Sequence, residues 1–237
     1  MANSSDFQSS NIFLEVRLVV FCLRNNRLQV MLVPADSQFF PGKWELPGIP
    51  VSLEQSLEAS ANQCLSQYIG AREAYLEQLY TYGDVNRHPQ QRLVSAIYFA
   101  LIPVDDFAGT SLKQTCAEWF PIEALPEMAM DHGTILDYAL RRLRYKLEYT
   151  AVGFELLPAS FTLTELQQTY EKILGEKIDK RNFRRRILEA AIIEPTPNFR
   201  LGEGRPARLY QYRADAVAEV KVRRLFPNIK PHIKHLD

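Results

Sequence analysis

The stretch LPGIPVSLEQSLEASANQCLSQYIG, residues 46–70, sets the fold class of the first part of the chain. It opens on a Leu-Pro-Gly loop, after which Leu53, Leu57, Ala61, Cys64, Leu65 and Tyr68 recur at three- and four-residue steps. That period predicts a helix with one buried face, and Gly70 is placed to end it. Upstream, the apolar runs FLEVRLVVFCL and LQVMLVP flank Arg24-Asn25-Asn26-Arg27, which predicts a strand, a tight polar turn and a second strand. The loop SQFFPGKWELPG that follows is punctuated by Pro41, Gly42, Pro47 and Gly48. Downstream, strands are predicted at Tyr75–Gly83 and Leu93–Pro103. The segment VSAIYFALI in the second is almost continuously apolar, as in a strand covered on both faces. A short strand near Glu118-Trp119-Phe120 and a helix from His132 to Leu147 complete an α/β layered domain.

The pattern changes past a boundary at Glu148–Pro158. Thr162-Leu163-Thr164-Glu165 has the form of a capping box, in which the Thr hydroxyl and the Glu carboxylate satisfy each other's backbone amides. The helix it opens buries Leu166, Tyr170 and Ile173, and Gly175 breaks it. Asp179 is placed to cap the next helix, DKRNFRRRILEAA, with Phe183, Ile187 and Ala190 inward. FRLGEGRPARLYQY then reads as two short segments around Gly-Glu-Gly, a hairpin. Helix, turn, helix, hairpin is the order of a winged helix-turn-helix. The expected organisation is a loose segment at 1–12, a ligand-sensing domain at 13–150 and a DNA-binding domain at 151–237.

Formal net charge is zero over 237 residues, but it is unevenly divided. Residues 1–140 carry 8 Lys/Arg against 16 Asp/Glu, and residues 141–237 carry 20 against 12. An acidic module joined to a basic one points the basic half towards a polyanion, against the plainer alternative of a solvated basic face. Cys22, Cys64 and Cys116 are odd in number and have no CxxC spacing, so three buried free thiols in a reducing cytoplasm are expected. No apolar run reaches 18 residues and no secretory h-region is present, so neither a membrane span nor export is expected.

With Phe183 and Ile187 inward, Lys180, Arg181, Arg184 and Arg185 face outward or to the flanks, with Asn182 and Arg186 beside them. A helix that enters a major groove needs this arrangement, because Arg grips phosphate or guanine and Asn reads adenine. Thr164 on the preceding helix, and Arg200, Arg205 and Arg208 around the hairpin, extend the same surface. Phe183, Tyr210 and Tyr212 fall at core spacing rather than as a stacking platform, which favours duplex DNA over RNA.

The chain resembles the Nudix-related transcriptional regulators of the NrtR type over nearly its whole length. The Nudix motif is Gly, five residues, Glu, seven residues, then Arg-Glu-apolar-x-Glu-Glu-x-Gly-apolar. Anchored on Gly70, this sequence puts Gln55 at the first glutamate, Gln63 at the arginine, Cys64 at the next glutamate, and Gln67 and Tyr68 at the pair. Anchored on Gly48, it recovers Glu54 but puts Asn62, Gln63, Ser66 and Gln67 at those four positions. Neither register restores a carboxylate cluster. Other segments also resemble the family: Arg87-His88-Pro89-Gln90-Gln91-Arg92, Trp119-Phe120-Pro121, Met130-Asp131-His132, Lys180-Arg181-Asn182-Phe183-Arg184-Arg185 and Gly204-Arg205-Pro206-Ala207.

The resemblance implies a Nudix-like α/β/α sandwich followed by a winged helix-turn-helix. It also implies a repressor whose first module senses ADP-ribose or a related metabolite, controlling genes of NAD metabolism. Trp44, Arg87 and Arg92 are the candidate ligand contacts: the guanidinium groups suit phosphate or ribose oxygens, and the indole offers a stacking face. Asp131 is equally placed to cap the helix after it. No catalytic residue, metal ligand or cofactor is expected, because magnesium wants oxygen ligands, normally carboxylates. The expected partners are a double-stranded operator, a small-molecule effector and a second copy of the chain. Two rivals remain open: a sugar-responsive regulator of the same architecture, and an ADP-ribose hydrolase using Glu54 and Glu58 from one helix face.

Overall fold

The computed structural model describes residues 11–70, 74–103, 116–147, 150–201 and 205–216. Residues 1–10, most of the expected loose segment, and the Gly-Glu-Gly tip at 202–204 lie outside the described residues.

Strands β1 (Ile12–Arg24) and β2 (Arg27–Pro34) form the expected hairpin. Asn25 and Asn26 both take positive φ, 49° and 63°, the left-handed pair of a two-residue turn that asparagine tolerates. The described strands β3 (Trp44–Glu45), β4 (Gly48–Pro50), β5 (Tyr75–Tyr82), β6 (Arg92–Ile102) and β7 (Glu118–Pro121) complete a seven-stranded mixed sheet. Its central pair, β1 and β6, runs parallel from Ile12↔Arg92 to Cys22↔Ile102. Alternate residues of these strands serve two cores, as the two-residue period of a strand requires. Val16, Leu18, Val20, Ala96, Tyr98 and Ala100 face helix α1 (Leu57–Ile69), which contributes Ala61, Cys64, Leu65 and Ile69. Val19, Phe21, Ile97, Phe99 and Leu101 face helix α2 (His132–Leu147), which contributes Ile135, Leu136, Ala139, Leu143 and Leu147. The arrangement is the expected α/β/α sandwich.

Helix α1 starts later than its apolar spacing predicts. Ser56 is the N-cap and accepts from the Ala59 amide at 3.1 Å. Leu53 lies before the cap, fully exposed, and Glu54 is not on the helix, so it does not share a helix face with Glu58. Cys22 and Cys64 are buried as expected, whereas Cys116 is exposed. Burial pushes the Cys64 thiol up to about 12.

Past a 3-10 turn at Val152–Leu156 come α3 (Leu163–Leu174) and α4 (Lys180–Glu189), followed by the hairpin of β8 (Ile193–Arg200) and β9 (Ala207–Tyr212). The capping box at Thr162 and Glu165 is complete, Gly175 takes the left-handed conformation at φ 77°, and Asp179 caps α4. Phe161 exchanges backbone hydrogen bonds with Tyr210 and so ties the hairpin to the start of α3. Strand β8 begins six residues before Phe199, where the sequence pattern places its start, and holds the exposed Pro195 and Pro197. Both prolines lack an amide donor, and the pairing is irregular between Pro195 and Phe199, the tolerance of an edge strand. One apolar cluster runs without a break from the sheet through α2 and the 3-10 turn to Tyr170, Phe183 and Ile187. The two parts of the chain therefore share a core.

Candidate functional site

Strand β4 runs antiparallel to β1, with Gly48 opposite Arg17. A Cβ at Gly48 would lie 2.7 Å from the Val16 carbonyl oxygen, so only glycine permits this approach. Between β4 and α1 lies an open cleft of about 390 Å³, lined by Ile49, Pro50, Val51, Ser52, Gln55, Gln63 and Gln67. Gln63 and Gln67 are four residues apart on α1, opposite the face that buries Ala61, Cys64 and Leu65. This burial separates the two motif registers. Cys64 is wholly inside and cannot stand for an acid that faces a cleft, whereas Gln63 and Gln67 do face it, as the Gly48 register requires. The polar side chains that line the cleft, Ser52, Gln55, Gln63 and Gln67, are neutral. Glu54 and Glu58 are not among its lining residues.

Magnesium does not fit this donor set, because a hard divalent cation needs anionic oxygen ligands that these side chains do not supply. Among the described residues, no three His, Cys, Asp or Glu side chains cluster to hold a metal ion.

The candidate ligand contacts lie elsewhere. Arg87 is buried: its side chain is 2% exposed, and its guanidinium pairs with both carboxylate oxygens of Asp131, Nε at 3.1 Å and NH2 at 2.8 Å. Its remaining nitrogen, NH1, donates to Ser95 Oγ and to the Tyr82 carbonyl. A ligand would have to displace these partners, and the Asp131 carbonyl accepts the Ile135 amide at the start of α2. Arg92 donates through NH1 to the Gly83 and Asp84 carbonyls. Trp44 is half-buried, with its ring edge-on to Phe120 at 4.7 Å, and so belongs to the core margin rather than to the cleft wall. Gln55, Gln63 and Gln67, which the sequence places only as motif positions without acids, are the ones that line the cleft. Their signal was the four-residue spacing of Gln63 and Gln67 on the polar side of an amphipathic helix.

Behind the cleft is a second polar group. Arg17 bonds to the Leu46 carbonyl at 2.7 Å and pairs with Glu15 and Glu45. His132 is fully buried, and its Nδ1 accepts the Leu46 amide at 3.2 Å, which places the ring proton on Nε2. Burial, reinforced by the guanidinium groups of Arg17 and Arg87, holds its pKa well below the usual histidine value. The imidazole is neutral.

The basic helix α4 keeps Phe183 and Ile187 fully buried, while Lys180, Arg181 and Arg185 are exposed and Asn182, Arg184 and Arg186 half-buried. Asn182 Oδ1 accepts from Arg185 NH2 at 3.0 Å and from Arg186 Nε at 3.2 Å. Arg184 NH2 donates to Thr164 Oγ1 at 2.9 Å, which joins the starts of α3 and α4 on one exposed surface. On the hairpin, Arg205 and Arg208 are exposed, and Arg208 lies over the Phe199 ring at 5.5 Å. Arg200 donates to Glu165 Oε1 at 2.6 Å. Arginine donors from α4 and the hairpin thus flank the N-terminus of α3.

The sequence pattern of the NrtR DNA-binding winged helix domain matches residues 153–212. The ADPR responsive transcriptional repressor NtrR of Acinetobacter baylyi is 36% identical over 212 residues, covering 88% of this chain and 84% of that one. The chain belongs to the NrtR family. Shewanella oneidensis NrtR, in its crystal structure with a 27mer DNA, superposes with a TM-score of 0.79 at 30% identity, covering 89% of this chain and 98% of that one. A MutT/nudix family protein from Enterococcus faecalis shares the fold at a TM-score of 0.72 and 24% identity, covering 87% and 90%. NrtR membership accounts for the joint occurrence of a Nudix sandwich and a winged helix in one chain. No helix among the described residues is long and apolar enough to cross a membrane.

Proposed function

We propose that this chain is a transcriptional repressor that grips duplex operator DNA through its winged helix and responds to ADP-ribose held, but not hydrolysed, in its Nudix module. The observation that carries the reading is the amide-lined cleft in the place of the Nudix catalytic helix face, in a chain that matches a repressor along most of its length. Glutamine Nε2–H groups donate to phosphate or ribose oxygens without a bridging metal. These side chains offer magnesium no anionic ligand with which to activate water or neutralise phosphate charge, so the hydrolytic step has no catalyst. The DNA side of the reading is supported by the arginine surface of α4 and the hairpin, and by the DNA-bound relative. The regulated genes are those of NAD metabolism, and the protein acts in the cytoplasm as a homodimer, since helix-turn-helix readers pair to cover two half-sites.

Titration calorimetry with ADP-ribose tests the sensing half. The wild-type chain is expected to bind with one site per protomer and to release no ribose phosphate in magnesium. The double variant Gln63→Ala/Gln67→Ala is expected to lose at least tenfold in affinity. Neutral amides suit sugar hydroxyls as well, so a pentose that stabilises the protein where ADP-ribose does not would replace the effector while leaving the DNA half standing.

A further inference from the structure

Helix α2 is held at both ends, by different modules. At its start, Asp131 is clamped by Arg87 from the loop between β5 and β6. The next residue, His132, accepts the amide of Leu46, the residue that opens the loop leading to the cleft. At the far end, Arg144 Nε donates to the Ile173 carbonyl at 2.7 Å. Ile173 lies in the last turn of α3, where the closing carbonyls have no partner within their own helix. Arg144 thus caps α3 from another module, and basic side chains suit that place because the helix dipole presents its negative end there. The fit is close: a Cβ at Gly175 would lie 3.4 Å from Arg144 NH2. One turn back in α3, Tyr170 packs edge-on against Phe183 of the basic helix at 5.5 Å.

We propose that α2 is the rod that couples the cleft to the DNA-reading helix, and that Arg144 is the positioning residue that fixes α3 to it. Two kinds of contact join α2 to α3. The apolar one, in which Gly153 meets Leu147 and Tyr170, has no directional preference and lets packed helices slide by small shear steps. The guanidinium–carbonyl bond is directional and holds one register along the helix. A shift of the Leu46 loop on ligand binding moves the start of α2 through His132, and the shared core passes it on because packed interiors move as units. The Arg144 bond then decides whether α3, and with it α4, follows. Arg144 is not among the residues that line the cleft and lies on neither α4 nor the hairpin.

This inference rests on the proposed function, and the test separates the two. With the full chain, operator affinity is measured by fluorescence anisotropy with and without saturating ADP-ribose, for the wild type, Arg144→Met and Arg144→Lys. The wild-type ratio of the two affinities is the coupling factor, and linkage requires the same factor in ADP-ribose affinity with and without operator. Arg144→Met is expected to keep each separate affinity within about threefold and to cut the coupling factor at least fivefold. Arg144→Lys is expected to recover part of it. A merely structural residue would move the affinities or the melting temperature and leave the ratio alone. An unchanged ratio in Arg144→Met overturns the inference. A wild-type ratio of one in a folded protein that still binds operator sinks ADP-ribose as the effector, and the inference with it. Should Arg144→Met fail to fold, hydrogen exchange on the wild type decides: ADP-ribose is expected to change protection in the last turn of α3, and no change there overturns the proposal.

Discussion

Replacing Arg87 separates a structural arginine from a ligand-binding one. Its side chain is 2% exposed, and the guanidinium engages Asp131, Ser95 and the Tyr82 carbonyl. Arg87→Met keeps the apolar stem but leaves the Asp131 carboxylate and the Tyr82 carbonyl without this donor. Breaking a buried ion pair by removing one partner costs about 3–5 kcal/mol. Asp131 is 25% exposed and recovers some hydration, which places the loss near the lower end, about 3 kcal/mol. For a chain of this size each kcal/mol moves the melting temperature by about 2–4 °C, so a fall of about 6–12 °C is expected. Arg87→Lys recovers less than half, because an ammonium cannot reproduce the two-point contact with a carboxylate. The assay is differential scanning fluorimetry with and without ADP-ribose: the variant starts lower, yet ligand still raises its melting point. A variant that melts with the wild type but no longer responds to ADP-ribose would overturn this assignment and return Arg87 to the ligand site.

Three further outcomes are expected. Arg184→Ala and Arg185→Ala should each weaken operator binding. Each phosphate interaction removed in this way should lower the slope of log affinity against log salt by about 0.9, read from anisotropy at several salt concentrations. His132 is neutral when folded, with a pKa held well below its unfolded value by burial. Its contribution is therefore complete above about pH 6.5 and lost as pH falls, at about 1.4 kcal/mol per pH unit. Denaturant unfolding from pH 7 to pH 5 should show this slope in the wild type and a shallower one in His132→Asn. Gly48→Ala should cost about 1–3 kcal/mol by forcing β4 off β1, seen as a lower midpoint in the same unfolding series.

Short-range chemistry made much of the fold legible. The Asn-Asn hairpin, the continuous apolar strand at β6, the Thr162–Glu165 capping box and the two faces of α4 each follow from residues within one turn or one strand of each other. What depends on distant partners was not legible. Arg87 reads as a ligand contact on a loop until Asp131, 44 residues away, comes to meet it. Leu53 fits the helical period, but Ser56 caps the helix after it, since a capping side chain outweighs a single apolar position. The prolines of β8 masked a strand because proline weakens every local strand signal. The cleft itself needs β4 laid against α1, and that juxtaposition is set by Gly48 and the pairing with β1 rather than by any local pattern.

The proposal that this chain reads a metabolite without consuming it, and reads DNA in response, is tested in a single reaction. A labelled operator duplex and the ADP-ribose concentration are followed together with magnesium present. ADP-ribose is expected to shift the bound fraction of operator to a steady new level while its own concentration stays constant. A bound fraction that ignores ADP-ribose, or an effect that decays as ribose phosphate accumulates, would be incompatible with a sensor that does not hydrolyse its signal.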